Sequence, residues 1–469
     1  MAFKTKLFIA TTMVTMLMSC SSEDQLLTMS EDRTSDIAFS EAEIRYLDIQ
    51  KKGNSISAQE AINDILGQSD KRLTRANNDL ELAGVLYKEE LGTTAGKELL
   101  PDTLAYCFVS KSQGQRYFVS ADNRTQQTVL AEINATEEDE ITETGETIKQ
   151  IIRQGVTNYV RNEIVMYEAK KDSIVNEVKQ KLKLLGITDT VTIAKMTRGH
   201  VPGPDEELLN PYIEEEVVAD WHEIDFQDAM IPVEWDQNAP YNNHIKDTLI
   251  CENGKKVPTG CVATAVAQLM AKWHFPQYSD TYWNDLTEYN TINQFSNDTN
   301  LKNKVAALMK DICIGCNTIF GCGGSSSTIG EAVSFLQSIG YTCGAIQSYT
   351  SGTVLKSLKN GCPVLVNGFN DNYIGHMWDI DGYYKKEKTI MRYFYAYNLA
   401  GEPFLVDTQT IRKYKTMYHH NWGFGQFDNG WLVDTSFNKF DTQRILTRNS
   451  ESNDGNLHNN VTISANIHP

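Results

Sequence analysis

Cys261 is the residue best placed to do chemistry in this chain. It follows Gly260, and before that comes Val257-Pro258, which is extended because a residue preceding proline is pushed out of the α region. Gly260 permits a tight bend. From Cys261 onward the residues are small or helix-forming, including Ala263, Ala265, Ala267, Gln268, Leu269, Met270 and Ala271. Almost no charge falls in the first three turns, so the helix is expected inside a domain. A cysteine at such a helix N-terminus is biased toward the thiolate, the nucleophilic form. The same placement suits an inert buried cysteine equally well.

A cysteine nucleophile needs a base, most often histidine, and a group that orients the base. Of nine histidines, His376 has the best context: it follows Gly375 and opens an apolar strand. On its own it reads better as a core histidine. His419 and His420 precede Asn421-Trp422 and read as strand-end surface residues. An asparagine carbonyl can hold a histidine tautomer, and an indole can shield the pair from water. Gln237 lies upstream in a turn-rich stretch that could bring its amide beside the Cys261 N–H as an oxyanion donor. His274 lies about 20 Å along the Cys261 helix and is excluded as the base. Asp379 and Asp381 read as structural.

With 469 residues, two or three domains are expected. A net charge of −18 offers no basic face for phosphates and argues against nucleic acid as a partner. Lys4 and Lys6 precede a short apolar run, and Leu17-Met-Ser-Cys20 resembles a bacterial lipobox. Residues 1–19 are therefore expected as a lipoprotein signal peptide, with Cys20 lipidated. Export with anchoring to the outer membrane follows, facing the periplasm or the cell surface, with a mature form free to be released. Cys313-x-x-Cys316 lacks the second pair a zinc site needs, and no metal is expected. A disulfide among the remaining cysteines is compatible with an oxidising compartment.

The remainder reads as α+β. Ser57 to Glu60 is a capping box ahead of a short helix. Residues 105–110 and 116–120 flank a turn at Gly114 as a hairpin. Glu137–Glu140 is an acidic run expected to be solvated. Ile148, Ile151, Ile152, Val156, Tyr159 and Val160 share one helix face in a segment from 146 to about 185. Pro, Gly and Glu then cluster through residues 187–230, which read as a linker exposed to proteolysis, with Lys195 and Arg198 as cut points. Helices follow at about 300–312 and 329–339. Short apolar or aromatic strands follow at 363–367, 376–383, 391–397, 404–407, 430–433 and 461–467. The Gly321–Thr328 loop lacks the lysine of a phosphate loop.

Gly260-Cys261 with Gln268, Gly375-His376 with Ile380 to Tyr383, and Asn421-Trp-Gly-Phe-Gly425 occur in that order. Together they resemble the streptopain family of papain-like cysteine proteases. The resemblance covers about residues 228–469. It implies a domain with a helical part and an antiparallel β-sheet part, preceded by an α+β propeptide domain at 20–200 and a linker carrying the activation site at 201–227. It implies Cys261 as nucleophile, His376 as general base and acid, Gln237 as oxyanion donor, Asn421 orienting His376 and Trp422 covering that contact. The Gly321–Thr328 loop, with Gly323, Gly324 and Ser325, would line the substrate cleft together with Gly375. It implies protein or peptide substrates, an apolar preference one position before the cleaved residue, the propeptide as inhibitor, and no cofactor. Met377-Trp378 and the long Tyr384–Tyr418 excursion depart from the pattern and are expected to bear on the cleft. A non-catalytic surface binding protein of the same fold, or a cell-wall amidase, are the alternatives.

Overall fold

The computed structural model describes residues 39–68, 79–91, 96–135, 143–184, 212–246, 248–292, 297–370, 374–397, 403–438 and 461–469. The leader, Cys20, the acidic run at 137–140, Lys195 and Arg198 lie outside the described residues.

Two short helices open the chain, α1 (Glu41–Lys52) and α2 (Ala58–Gln68). α1 is absent from the sequence expectation, although Ser40 and Glu43 form a reciprocal capping box at its start. A four-stranded meander follows: β1 (Leu80–Tyr87), β2 (Thr103–Ser110), β3 (Gln115–Ser120) and β4 (Val129–Asn134). The β2–β3 hairpin turns at Gly114, whose φ of 60° suits glycine. The helix α3 (Glu143–Leu184) then runs for 42 residues. Its expected apolar face is buried, with Ile148, Ile151, Ile152, Val156, Tyr159 and Val160 packed in one core with Trp378, Met417, Tyr418, Leu432 and Phe437.

The C-terminal half has a helical part and a sheet part, each with its own core. The helical part holds α4 (Cys261–Trp273), α5 (Tyr282–Thr287), α6 (Thr299–Gly315) and α7 (Ile329–Ser338). Beyond β6 (Gln347–Ser348) and α8 (Ser351–Lys359) come β7 (Val364–Phe369), β8 (Gly375–Tyr397), β9 (Pro403–Asn421), β10 (Gly430–Val433) and β11 (Thr462–Ser464). All sheet pairings are antiparallel, so the chain is α+β as expected.

Two features depart from expectation. The aromatic stretches at 376–383, 391–397 and 404–407 are parts of one long hairpin, β8–β9, in register from Asp379↔Asn421 to Tyr397↔Pro403. Its far end turns away from the cleft toward α1: Phe39 stacks on Phe394 at 5.3 Å, and Arg392 bonds Asp48 at 2.6 Å. The excursion thus contacts the N-terminal half. Second, residues 212–227 are no loose linker. They form β5 (Tyr212–Gln227), paired with β8 from Tyr212↔Tyr395 to Gln227↔Tyr383.

The two halves share one sheet. β4 pairs with β10 through Ala131↔Leu432, Glu132↔Trp431 and Ile133↔Gly430. Side chains repeat the junction. Lys415, buried, bonds Glu132 at 2.5 Å, and Arg116 bonds Asp428 at 2.9 Å.

Candidate active site

The cleft lies between the helical core and the sheet core. Cys261 begins α4, and its N-cap Gly260 has a φ of 91°. A Cβ at Gly260 would stand 2.4 Å from the Ser325 carbonyl oxygen, so glycine is required by both conformation and space. His376 is the second residue of β8, on the opposite wall, and is buried. The backbone of Met377, next to His376, lies near enough to the Cys261 sulfur to favour its thiolate, as do the backbone groups of Val262 and Cys261 itself. This contact brings the two walls together at the sulfur.

A cavity of about 280 Å³ opens on this pair. Cys261, His376 and Gln237 line it, with Gly323, Gly324, Ser325, Ser326 and Gly375. Gly323, Gly324, Ser325 and Gly375 thus border the cavity, whereas Gly321, Cys322, Ser327 and Thr328 of the same loop are not among its lining residues. Three further liners have no signal in the sequence: Ile374, beside Gly375, and Thr144 and Thr147, on the first turns of α3. The two threonines come from the N-terminal half, and no spacing rule connects them to residues more than a hundred positions away.

His376 Nε2 lies 2.8 Å from the Trp422 carbonyl oxygen. A carbonyl only accepts, so Nε2 carries the hydrogen and Nδ1 keeps a lone pair. The expected Asn421–His376 tether is thus supplied by the neighbouring backbone. Asn421 does something else: its Nδ2 donates to the Val233 carbonyl at 2.9 Å, and its Oδ1 accepts from the Gly423 N–H at 3.2 Å. It fixes the loop that aims the Trp422 carbonyl.

Trp422 is buried, as is Trp378, and their ring centroids lie 4.8 Å apart. His376 stacks along Trp378 at 6.2 Å and 14°. The Trp378 Nε1–H donates to His420 Nδ1 at 2.9 Å, and His420 stacks on Trp422 at 5.3 Å. His420 is 1% exposed, so the surface reading of this residue is corrected. Its neighbour His419 bonds Asp381 at 2.7 Å and is largely covered. An aromatic wall of Trp378, His420 and Trp422 therefore backs the His376 ring. Asp381 also receives the Ile231 N–H at 2.9 Å, and Asp379 receives the Gln268 amide at 3.3 Å.

Gln237 is held against the cysteine segment. Its carbonyl accepts from the Thr259 N–H at 2.9 Å, and its side-chain Nε2 donates to the Gly423 carbonyl at 3.3 Å. Its amide therefore borders the same space as the Cys261 N–H, which suits an oxyanion in the cavity.

Electrostatics oppose ionisation here. Burial raises the Cys261 thiol, outweighing the nearby backbone of Met377, Val262 and Cys261 that favours the thiolate, even though Cys261 keeps some contact with the cleft. Burial also lowers His376 to about 4, against the support of the Trp422 carbonyl. Both shifts favour a neutral thiol beside a neutral imidazole.

Cys251 and Cys322 form a disulfide, while Cys313 and Cys316 are buried thiols. No curated protein matches the chain. Residues 235–432 match the Peptidase C10 family, a span that contains Gln237, Cys261, His376, Asn421 and Trp422. With a cysteine, a histidine and an amide gathered on one cavity inside that span, residues 235–432 are similar to the cysteine proteases of the Peptidase C10, or streptopain, family.

Proposed function

We propose that the chain is the latent precursor of a secreted cysteine endopeptidase, held inactive by its own N-terminal half. The observation that carries this reading is the cavity shared by Thr144, Thr147, Cys261 and His376. The first turns of α3 stand where a substrate would need to lie.

In the activated enzyme, His376 Nδ1 takes the proton from Cys261 Sγ. The thiolate attacks the scissile carbonyl carbon, and the resulting oxyanion accepts from the Cys261 N–H and the Gln237 amide. His376 then gives its proton to the leaving amine, which departs as the new N-terminus and leaves a thioester. Water attacks the thioester with His376 again as base, and the acid product leaves. The Trp422 carbonyl holds His376 in the required tautomer throughout. Gly323, Gly324 and Gly375 present backbone with no side chain in the way, which suits an extended peptide along that wall.

Activation follows cleavage upstream of Tyr212, with Lys195 and Arg198 as the candidate points. The basic-apolar leader and Cys20 support export with a lipid anchor on the outer membrane.

The test is a gel time course of residues 21–469 beside Cys261→Ala, both with reductant. Shortening of the wild type alone supports self-processing. If both stay whole, the proteins are trimmed with a trypsin-like enzyme and assayed on casein. A trimmed wild type that leaves casein intact, and whose Cys261 resists an epoxysuccinyl inhibitor, overturns the reading.

A further inference from the structure

The Cys251–Cys322 disulfide plays no part in the chemistry above, yet it ends on the cleft wall. Cys322 lies between Gly321 and the cavity residues Gly323 and Gly324. A Gly-Cys-Gly-Gly stretch has few side chains with which to hold its own shape, and glycine has the most backbone freedom to lose. The wall is anchored at its C-terminal end. Ser325 Oγ donates to the Pro258 carbonyl at 2.6 Å, and Ser326 and Ile319 exchange backbone hydrogen bonds of 2.9 and 2.8 Å. Its tip is held by Cys322.

The other end of the bridge is equally placed. Cys251 sits in a turn closed by its N–H to the Lys255 carbonyl at 2.8 Å. Lys256 Nζ donates to the carbonyls of Asn243 and Ile245 at 2.7 and 3.0 Å, and Val257 N–H donates to the Leu249 carbonyl at 3.1 Å. Val257 leads through Pro258 directly into Gly260-Cys261. The bridge therefore ties the wall to the platform that carries the sulfur.

We propose that the Cys251–Cys322 disulfide is a specificity-determining clamp: it keeps the Gly323–Ser326 wall in register with Cys261, and opening it weakens substrate binding while the Cys261–His376 chemistry persists. The inference rests on the protease reading of the site.

Cys322 is exposed, so a small dithiol reaches it. One thiolate of the reagent attacks Cys322 Sγ, and Cys251 leaves as a thiolate that picks up a proton. The second thiol of the reagent then resolves the mixed disulfide and frees Cys322. Two electrons and two protons pass to the protein, and the reagent ends as a cyclic disulfide. A reductant thus acts twice, in opposite senses: it preserves the Cys261 thiol and unfastens the wall.

The test uses activated enzyme from the full chain, as wild type and as Cys251→Ser/Cys322→Ser. Both kcat and KM are measured on one peptide across a dithiothreitol series, with mass mapping of the 251–322 bridge at each point. The double variant is expected to show KM raised about tenfold, the cost of ordering roughly one further loop residue on binding. Its kcat is expected to stay within about twofold. Wild-type KM should climb toward the variant as the bridge opens, and the variant should be insensitive. Equal KM values, or a loss confined to kcat, overturn the clamp. If the double variant does not fold, the wild-type series decides alone: KM flat through bridge opening overturns the proposal. A wild type with the bridge closed that cleaves no peptide overturns the protease reading instead, and the clamp with it.

Discussion

Asn370 and Gln150 join the segment leading into His376 to α3, whose first turns border the cavity. Asn370 Nδ2 donates to Gln150 Oε1 at 2.8 Å, while Asn370 Oδ1 accepts from the Ile374 N–H at 2.8 Å. Ile374 leads into Gly375-His376, so one side chain holds both the backbone just before His376 and α3. Gln150→Ala removes the link from the α3 side and leaves the turn intact. The expected result is precursor activation that is about two- to tenfold faster, since a buried hydrogen bond contributes about 0.5–1.5 kcal/mol net. A gel time course against wild type checks it, and an unchanged rate would remove Gln150 from the latch.

Cys261 should react slowly in the precursor. Burial raises its thiol, so its thiolate fraction at pH 7 falls below that of an ordinary cysteine. His376, pushed down to about 4, is protonated only under acid conditions in which Cys261 is a thiol. Hence the neutral thiol–imidazole pair is the dominant form between these limits, and the thiolate–imidazolium pair is disfavoured. Iodoacetamide labelling of Cys261, read by peptide mapping, should rise about tenfold per pH unit through neutrality in the precursor. Loss of α3 rehydrates both groups, and labelling at pH 7 should then rise by about tenfold or more. Equal labelling before and after activation would refute this account of latency.

Gly260→Ala should cripple the site. The new Cβ meets a backbone oxygen at 2.4 Å on a residue with positive φ, and strain of this kind costs about 1–3 kcal/mol before the clash is counted. Casein hydrolysis and thermal unfolding should both fall. Because the obstacle is the Ser325 carbonyl, Ser325→Gly should fail to rescue the variant. Rescue would show that the side chain is the obstacle.

Trp378→Phe preserves a ring beside His376 but leaves the buried Nδ1 of His420 without its donor. The loss is expected at about 1–3 kcal/mol in denaturant unfolding, the cost of stranding a buried polar atom. Adding His420→Leu should recover part of it, since an apolar pair has nothing to satisfy. Additive losses in the double variant would exclude a role for the hydrogen bond.

The mature N-terminus should lie upstream of Tyr212. β5 is bonded along β8 through most of its length, and a protease needs a locally unfolded segment. N-terminal sequencing of the shortened product decides, and a start within 213–227 would contradict the expectation.

Much of this was legible in the residues, and the losses have physical causes. The α3 face survives as a pure 3.6-residue repeat because one side of the helix meets a continuous core. Cys261 and Gln237 are readable because local chain geometry places them. β5 reads as linker because it lies at a sheet edge: Val217, Val218, Ile224 and Phe226 point to water, and irregular pairing near residues 217–225 breaks the alternation. His420 reads as a surface residue because its partners, Trp378 and Trp422, reach it only through the fold. The exchange of Asn421 for the Trp422 carbonyl was invisible for a simpler reason: every residue has a carbonyl, so no residue type announces it.

The shared sheet changes what a cut can achieve. Three residue pairs join β4 to β10, and the Glu132–Lys415 and Arg116–Asp428 contacts flank them. None of these is touched when the chain is severed before Tyr212. The fragment that leaves is then a ligand of the enzyme it came from, and its departure obeys mass action. If the N-terminal half is the inhibitor, a concentrated, fully nicked sample is expected to stay quiet and dilution to activate it, so the trimmed protein must be assayed dilute.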